Sequence, residues 1–140
     1  MPLDSFFTIY MITRRMYRNV TRAFLRDGQD YLMEHFIILM LLSQKKTIKQ
    51  NEITLDIIRN KATVTRAVDK LVERGLVRRT TDPQDRRINI LEITDSGQAV
   101  FTRLERIYEN IKKKIHAGIS QDEIDRCVTM FERILNNLKK

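Results

Sequence analysis

The segment from Asn60 to Gly75 carries the side chains best suited to recognising another molecule. At about 100° per residue, a helix over this segment has three apolar residues on one stripe: Val64, Val68 and Leu71. Thr63, Arg66 and Lys70 fall on the opposite side, beside Glu73. Hydroxyl, guanidinium and ammonium groups donate hydrogen bonds to base edges and phosphates. The spacing therefore predicts a helix that packs by one face and contacts DNA with the other.

The first turn of this helix is small and polar, which lets it approach base edges closely. The helix residues predicted to face DNA are Lys61, Ala62, Thr63, Thr65, Arg66 and Lys70. A second basic set follows at the tip of a predicted hairpin, where Arg86 and Arg87 are placed to reach phosphates or the minor groove.

Charge supports this interpretation because of where it is concentrated. The chain has 26 Lys and Arg against 18 Asp and Glu, a formal charge of +8, which favours a polyanionic partner. From Arg59 to Ile90 the sequence holds nine basic and four acidic residues. A charged helix face is most often only solvated, but a Thr/Arg helix followed by an Arg-tipped hairpin is a more specific pattern. The combination favours DNA binding.

Hydrophobic periodicity and capping residues predict the order helix, helix, short helix, helix, hairpin, helix, helix. The helices are expected from Asp4 to Arg26, from Asp30 as N-cap to about Leu42, from Gln50 to Arg59, from Asn60 as N-cap to Arg74, from Thr94 as cap to about His116, and onward from a capping box at Ser120 and Glu123. The second helix is apolar on nearly all sides and should be buried. The first and last carry more apolar surface than one core needs, which predicts a partner subunit.

The hairpin is expected from strands Leu76–Thr81 and Arg87–Ile93, joined through a type I turn at Asp82-Pro83-Gln84-Asp85. The predicted fold is therefore mainly α: a winged helix-turn-helix with a two-stranded wing, plus N- and C-terminal dimerisation helices. Residues 30–97 would form the DNA-binding lobe of a single domain, and residues 1–29 and 98–140 the dimerisation region.

Five short motifs occur in a fixed order: Thr63-Val64-Thr65-Arg66, Val68-Asp69-Lys70-Leu71, Gly75-Leu76-Val77, Asp82-Pro83-Gln84-Asp85-Arg86-Arg87 and Ile93-Thr94-Asp95-Ser96-Gly97. In order and spacing they resemble the signatures of the MarR family of transcriptional regulators. The strong resemblance covers about residues 50–97, while the flanking helices match only in length and apolar character.

This resemblance implies a homodimer with intertwined terminal helices, a recognition helix in the major groove and a wing at the minor groove. It implies that Thr63 and Arg66 meet the major groove and that Lys70 contacts phosphate. Arg86 or Arg87 would enter the minor groove, with Asp85 positioning the wing arginine through a charge-assisted hydrogen bond. The expected function is a repressor at a pseudo-palindromic operator.

An effector is an open question at this level. Proteins similar to this one bind aromatic acids between the dimer helices and the DNA-binding lobe. By location alone, the candidates here are Arg14, Arg15, Tyr31 and His35.

Other chemistry has little support in the sequence. Two histidines in different predicted helices and one cysteine give no metal-ligand spacing, and no cofactor or nucleophile motif is found. His35 is expected to be a satisfied core or pocket residue, and Cys127 a buried, inert thiol. The longest apolar run, Phe36–Leu42, is too short to span a bilayer, and the protein is expected to be cytoplasmic.

Two other interpretations share the winged-helix fold. One is a module that binds RNA or shapes chromatin without operator specificity, and the other is a protein-interaction winged helix. Specific duplex DNA should outcompete random duplex by orders of magnitude if the chain is an operator-binding regulator. A protein-interaction module has little DNA affinity to begin with, so replacing Arg66 and Arg86 would not reduce it. An enzyme is the least favoured class.

Overall fold

The structure, a computed structural model, describes residues 4–53, 58 and 60–139. Its helices and strands, in chain order, are α1 (Ser5–Arg26), α2 (Met33–Lys45), β1 (Thr47–Lys49), a 3₁₀ turn (Gln50–Glu52), α3 (Lys61–Glu73), β2 (Val77–Thr81), β3 (Asn89–Ile93), α4 (Asp95–Ile115) and α5 (Gln121–Leu138). The chain forms two compact units, residues 1–108 and 109–140.

Three helices begin at capping residues, of which the sequence predicts those at Asn60 and Ser120, while at Asp4 it predicts only where the helix starts. The Asp4 carboxylate accepts the Phe7 N–H at 2.8 Å, and the Asn60 amide oxygen accepts the Thr63 N–H at 2.9 Å. Ser120 and Glu123 cap each other's backbone N–H groups at the start of α5. Each cap satisfies backbone donors that the first helical turn leaves unpaired, so the boundaries follow from local sequence.

The start of α2 differs from the prediction. Asp30 is not its N-cap: the helix begins at Met33, after Leu32, whose N–H donates to Nδ1 of His35 at 2.8 Å. The Asp30 carboxylate instead forms ion pairs with Lys70 and Arg74. A histidine three residues into the helix thus replaces the expected aspartate as the capping group.

The core of the first unit is built around α2, as its apolar character predicts. Ile38, Leu39 and Leu42 are fully buried. The ring of Phe36 contacts three other aromatic rings, with centroid separations of 5.7 Å to Phe24, 5.7 Å to Phe101 and 5.0 Å to Tyr108. Burial of large apolar side chains supplies the main driving force for folding. In this unit, many of those side chains lie on α2 or pack against it.

α3 packs against this core with the predicted stripe. Val64, Val68 and Leu71 are buried, and Ala67 joins them. Of the predicted short helix over residues 50–59, the structure describes the 3₁₀ turn at its start, together with buried Ile53 and Ile58. Residues 54–57 and 59 lie outside the described residues.

The predicted two-stranded wing belongs to a three-stranded antiparallel sheet of order β1-β3-β2. Ile48 of β1 lies opposite Leu91 of β3, and both side chains are buried. β1 has only three residues, too few for an alternating pattern to be recognisable in the sequence. The β2–β3 loop, residues 82–88, is called the wing tip below.

A joint at Gly75, Leu76 and Gly97 connects α3, the sheet and α4. Gly75 follows the end of α3 in the left-handed region at φ +71°, where glycine is favoured. The Thr94 hydroxyl donates to the Gly75 carbonyl at 2.7 Å and accepts the Gly97 N–H at 3.0 Å. A Cβ on Gly97 would stand 2.0 Å from the Leu76 carbonyl oxygen. The joint therefore requires glycine at position 97.

The second unit, residues 109–140, is a helical segment that buries none of its α5 residues. Val128, Met130, Leu135 and Leu138 of α5 are all exposed. Cys127 is a free thiol and half-buried, so the expectation of a buried cysteine is wrong.

Candidate nucleic-acid interface

The outer face of α3 presents the residues that the sequence predicts to face DNA. Lys61, Ala62, Thr65 and Arg66 are exposed, while Thr63 and Lys70 are half-buried at the flank of the helix. Because Val64, Ala67, Val68 and Leu71 are held in the core, the opposite face is fixed outward. The helix can therefore present donors without unpacking.

The first turns of α3 hold their polar groups in a local network. The Thr63 hydroxyl donates to the Asn60 side-chain oxygen at 3.1 Å and accepts from Nη2 of Arg66 at 3.3 Å. The same Asn60 oxygen caps the helix. One residue thus caps the helix and orients a hydroxyl, which in turn orients a guanidinium.

The last turn of α3 and its C-cap residue, Arg74, contact a distant segment, the connection between α1 and α2. One carboxylate oxygen of Asp30 lies 3.3 Å from Nζ of Lys70 and 3.0 Å from Nη2 of Arg74. Arg74 also donates through Nη1 to the Asp30 carbonyl at 3.3 Å. Its guanidinium lies 5.0 Å from the centre of the Tyr31 ring. We call Asp30, Tyr31, Lys70 and Arg74 the Asp30 cluster.

Electrostatics in the Asp30 cluster follow from these contacts. Hydrogen bonds from Arg74 and Lys70 hold the pKa of the Asp30 carboxyl below its usual value, so it is ionised at neutral pH. A hydrogen bond to Tyr31 raises the pKa of Arg74. The cluster thus carries two cations against one anion on the flank of α3.

The buried side chain of His35 packs against Tyr31 of the Asp30 cluster. Its ring lies edge-on to Tyr31 at 5.9 Å, and only 4% of its surface is exposed. Burial lowers the pKa of His35 to about 4, and the nearby Lys70 charge lowers it too. The imidazole is therefore neutral at physiological pH, with Nδ1 accepting the Leu32 N–H. The expectation of a satisfied core histidine is confirmed.

The wing tip is shaped by two aspartates. Asp82, which is buried, accepts the Gln84 N–H at 2.9 Å and pairs with Lys49 at 3.3 Å. The four-residue turn closed by a backbone hydrogen bond runs from Asp85 to Ile88, not over Asp82–Asp85 as predicted. The Asp82 side chain accepts the backbone N–H two residues on, which is the geometry of an Asx turn.

Asp85 binds Arg87 in the way that the sequence motif implies for a wing arginine. Its carboxylate accepts from the Arg87 N–H at 3.0 Å, from Nε at 3.1 Å and from Nη2 at 3.1 Å. The Arg87 side chain is nevertheless 90% exposed, and Arg86 is exposed beside it. Hydrogen bonds from Arg87 lower the pKa of Asp85. The wing tip therefore offers two arginines to solvent, one of them held by a carboxylate.

A cleft of about 890 Å³ lies within the first unit, between α1 and the start of α2. Four arginines are among its lining residues: Arg14, Arg15, Arg18 and Arg22. Glu34 also lines the cleft, and its carboxylate accepts from the Tyr17 hydroxyl at 3.0 Å. Of the four effector candidates, Arg14 and Arg15 line the cleft, while Tyr31 and His35 belong to the Asp30 cluster and its support.

Comparison with known protein families gives a match over the part of the chain that contains α3 and the wing tip. The sequence model of the MarR family matches residues 33–88, which run from the start of α2 to the end of the wing tip. Residues 33–88 form a MarR-family domain. The match includes α3 and the wing tip and ends before β3. Asp30, α1, β3, α4 and α5 lie outside it.

Relatives and solved structures agree with this assignment. The chain is 24% identical to a Bacillus subtilis protein named uncharacterized HTH-type transcriptional regulator YkoM, over 89% of this chain and 82% of that one. It is similar to the transcriptional regulator BldR of Sulfolobus solfataricus (25% identity, 93% and 91% of the two chains, TM-score 0.83). It also shares its fold with S. aureus MepR, solved with DNA (20% identity, 97% and 99% of the chains, TM-score 0.84). The relatives compared are regulators, not enzymes.

Sequence reasoning missed two residues beside the MarR-type helix. Arg74 follows Lys70 by four residues, so the helical spacing could have added it to the basic row of α3. Asp30 was assigned to a helix cap, and its pairing with residues 40 and 44 positions later has no local signal.

Two further observations concern the described residues alone. No group of three or more His, Cys, Asp or Glu side chains there is arranged to hold a metal ion. No helix in this part of the chain is long and apolar enough to cross a membrane.

Proposed function

We propose that this MarR-type protein is a sequence-specific, DNA-binding transcriptional regulator that acts in the cytoplasm as a homodimer on a pseudo-palindromic operator. The observation that carries the proposal is the outer face of α3, where Arg66 and Thr65 are exposed above a buried apolar stripe. The solved complex of MepR with DNA, which has the same fold, supports this class of partner.

In the proposed complex, α3 enters the major groove. Arg66 is the residue best placed to contact a base, because a guanidinium can bind guanine through two hydrogen bonds. Thr63 orients Arg66, as its hydroxyl does in the structure. Lys61, Ala62 and Thr65 line the approach, and Lys70 contacts phosphate.

The wing tip contributes charge to the same complex. Arg87 or Arg86 enters the minor groove or contacts its phosphates, and Asp85 restricts the orientation of the Arg87 guanidinium. Pre-ordering an arginine reduces the conformational entropy lost when it binds.

The proposed dimer uses the terminal helices, with residues 1–29 and 98–140 as the dimerisation region. Phe6, Tyr10 and Ile12 of α1 are exposed, and so are Leu135 and Leu138 of α5. Exposed apolar surface of this extent is typical of protein interfaces. Two subunits would place two α3 helices on half-sites about one DNA turn apart.

The proposed mode of control is repression that a small anionic, aromatic molecule relieves. The cleft of about 890 Å³ is large enough for such a molecule, and Arg14 and Arg15 can pair with its carboxylate. Calorimetric titration with an aromatic carboxylate tests the proposal. Arg14→Ala with Arg15→Ala should weaken binding, and Arg133→Ala, an exposed arginine of α5, serves as the control.

The experiment that tests the function itself starts from selection. Duplexes enriched by the purified protein should share a dyad-symmetric motif and outcompete random duplex by at least about 10³-fold at physiological salt. A random duplex bound equally well indicates a non-specific or architectural module. Preference for RNA, or failure to bind any nucleic acid, would favour the two rival winged-helix functions.

A further inference from the structure

The C-terminal half of α3 presents a basic pair that is already occupied in the free protein. Lys70 and Arg74 lie one turn apart, and both contact Oδ2 of Asp30. The side chain of Asp30 is 67% exposed, so its charge reaches the solvent beside the outer face of α3. Two cations that phosphate would attract are therefore shared with an internal carboxylate.

We propose that Asp30 competes with DNA phosphates for Lys70 and Arg74, and so limits the sequence-independent part of DNA affinity. The inference rests on the proposed DNA-binding function. Non-specific binding arises almost entirely from contacts between basic side chains and phosphates. A carboxylate that withholds two cations lowers this component for every sequence alike.

Asp30 cannot easily follow its cations toward a phosphate. Its carbonyl accepts from Arg74, and the next residue, Tyr31, is buried and donates its N–H to the Gln29 carbonyl at 2.8 Å. Lys70 and Arg74, by contrast, are long side chains with several rotatable bonds. When DNA docks, the cations can turn outward while the carboxylate stays in place and repels the incoming phosphate.

The competition is limited in strength. Both cations are about one third exposed, and ion pairs in contact with water are weak and screened by salt. Asp30 therefore lowers DNA affinity without abolishing it. A genome offers a very large number of non-specific sites, so a lower non-specific affinity leaves more protein free for the operator.

The test compares Asp30→Asn with Glu105→Gln, which removes one negative charge from an exposed position of α4. Binding to the selected operator and to random duplex is measured across a salt series. For each further phosphate that the freed cations neutralise, Asp30→Asn should strengthen random-duplex binding about fivefold at about 0.15 M salt and steepen the salt dependence by about 0.9. Operator affinity should rise by no larger factor. Glu105→Gln should change much less.

A double-mutant cycle assigns the effect to the right partners. In a background carrying Lys70→Gln and Arg74→Gln, Asp30→Asn should strengthen binding much less than it does in the wild type, because only the direct repulsion between carboxylate and phosphate is left to remove. Four results would each overturn the inference: weaker binding by Asp30→Asn, an unchanged salt slope, an effect equal to that of Glu105→Gln, or an effect that persists undiminished in this background. Circular dichroism confirms that every variant is folded.

A heparin column separates this inference from the proposed function. Asp30→Asn should elute at higher salt than both the wild type and Glu105→Gln, because the freed cations bind any polyanion. Equal elution of the two variants would overturn the inference, even if the wild type binds an operator. Failure of the wild type to bind duplex DNA would instead refute the proposed function, whatever the column shows.

Discussion

α3 and the wing tip both present arginines to solvent, but the partners that hold those arginines come from different distances along the chain. At the wing tip, Asp85 binds Arg87 from two residues away. On α3, Thr63 binds Arg66 from three residues away, while Lys70 and Arg74 bind Asp30 across 40 and 44 residues. The wing tip is thus ordered by local contacts, and the end of α3 by tertiary structure.

This difference has a physical consequence. A local pair such as Asp85 and Arg87 survives as long as its own turn survives. The Asp30 cluster depends on the packing of α2 against α3, which contribute buried residues such as Leu39 and Leu71 to the core. We therefore expect perturbations of the core to alter α3 before they alter the wing tip.

The largest expected effect comes from a substitution at the joint that both regions share. Gly97→Ala places a methyl group against the Leu76 carbonyl oxygen and should lower the free energy of unfolding by about 1–3 kcal/mol, as overpacking does. Chemical denaturation measures it, with Ser96→Ala as a neighbouring exposed control. Unchanged stability would mean that the joint does not fix α4 against the sheet.

Removing both wing arginines should weaken DNA binding broadly. Arg86→Ala with Arg87→Ala is expected to reduce the salt slope by about one to two per subunit, without unfolding the protein, because both side chains are exposed. Operator and random duplex should lose affinity together. An unchanged slope in a folded variant would remove the wing tip from the interface.

Low pH should destabilise the fold through protonation of His35, which packs against Tyr31 of the Asp30 cluster. The folded-state pKa of His35, about 4, is lower than its ordinary value near 6.5. The neutral imidazole therefore contributes stability that is fully present above about pH 6.5 and is lost as pH falls toward 4. His35→Gln can still cap Leu32 but does not titrate, so its stability should fall less over this interval. The free energy of unfolding is measured by chemical denaturation at several pH values. An equal decrease for the two proteins between pH 6.5 and 4 would contradict this prediction.

The smallest expected effect is at Asp85. Asp85→Asn removes the charge that holds Arg87, yet an exposed ion pair adds little stability, so the unfolding transition at neutral pH should hardly move. DNA affinity is the informative readout. Because Asp85 pre-orders Arg87, the variant should bind DNA more weakly. A tighter complex would contradict this and show that Asp85 restrains Arg87 by charge.

Much of the fold was predictable because its signals are local. The caps at Asn60 and Ser120 and the buried stripe of α3 are confirmed. β1 was not predicted, because three residues carry no periodicity. Asp30 was assigned to a cap, because a sequence shows a helix-starting residue but not the distant cations that compete for it. The backbone hydrogen bond at the wing tip closes over Asp85–Ile88, and the Asp82 side chain accepts the Gln84 N–H two residues on, a contact that the prediction of a type I turn did not include.

The candidate site also contains residues that local sequence predicts and residues that it does not. Spacing alone identified the exposed row that contains Arg66, since helical geometry fixes which residues share a face. It did not identify the Asp30 cluster, nor which of the candidate residues line the cleft. Those depend on how α1 and α2 meet, and nothing local in the sequence encodes that.

The central claim, that α3 recognises a specific sequence through Arg66, is tested most directly by one binding comparison. Arg66→Ala and Arg103→Ala, an exposed arginine of α4, remove the same charge. Each is titrated with the selected operator, with every single-base variant of it and with random duplex. Arg66→Ala should cost about 1–3 kcal/mol on the operator and lose discrimination at one base position per half-site, while Arg103→Ala keeps it. Equal weakening of all duplexes by Arg66→Ala, with discrimination intact at every position, would contradict the account.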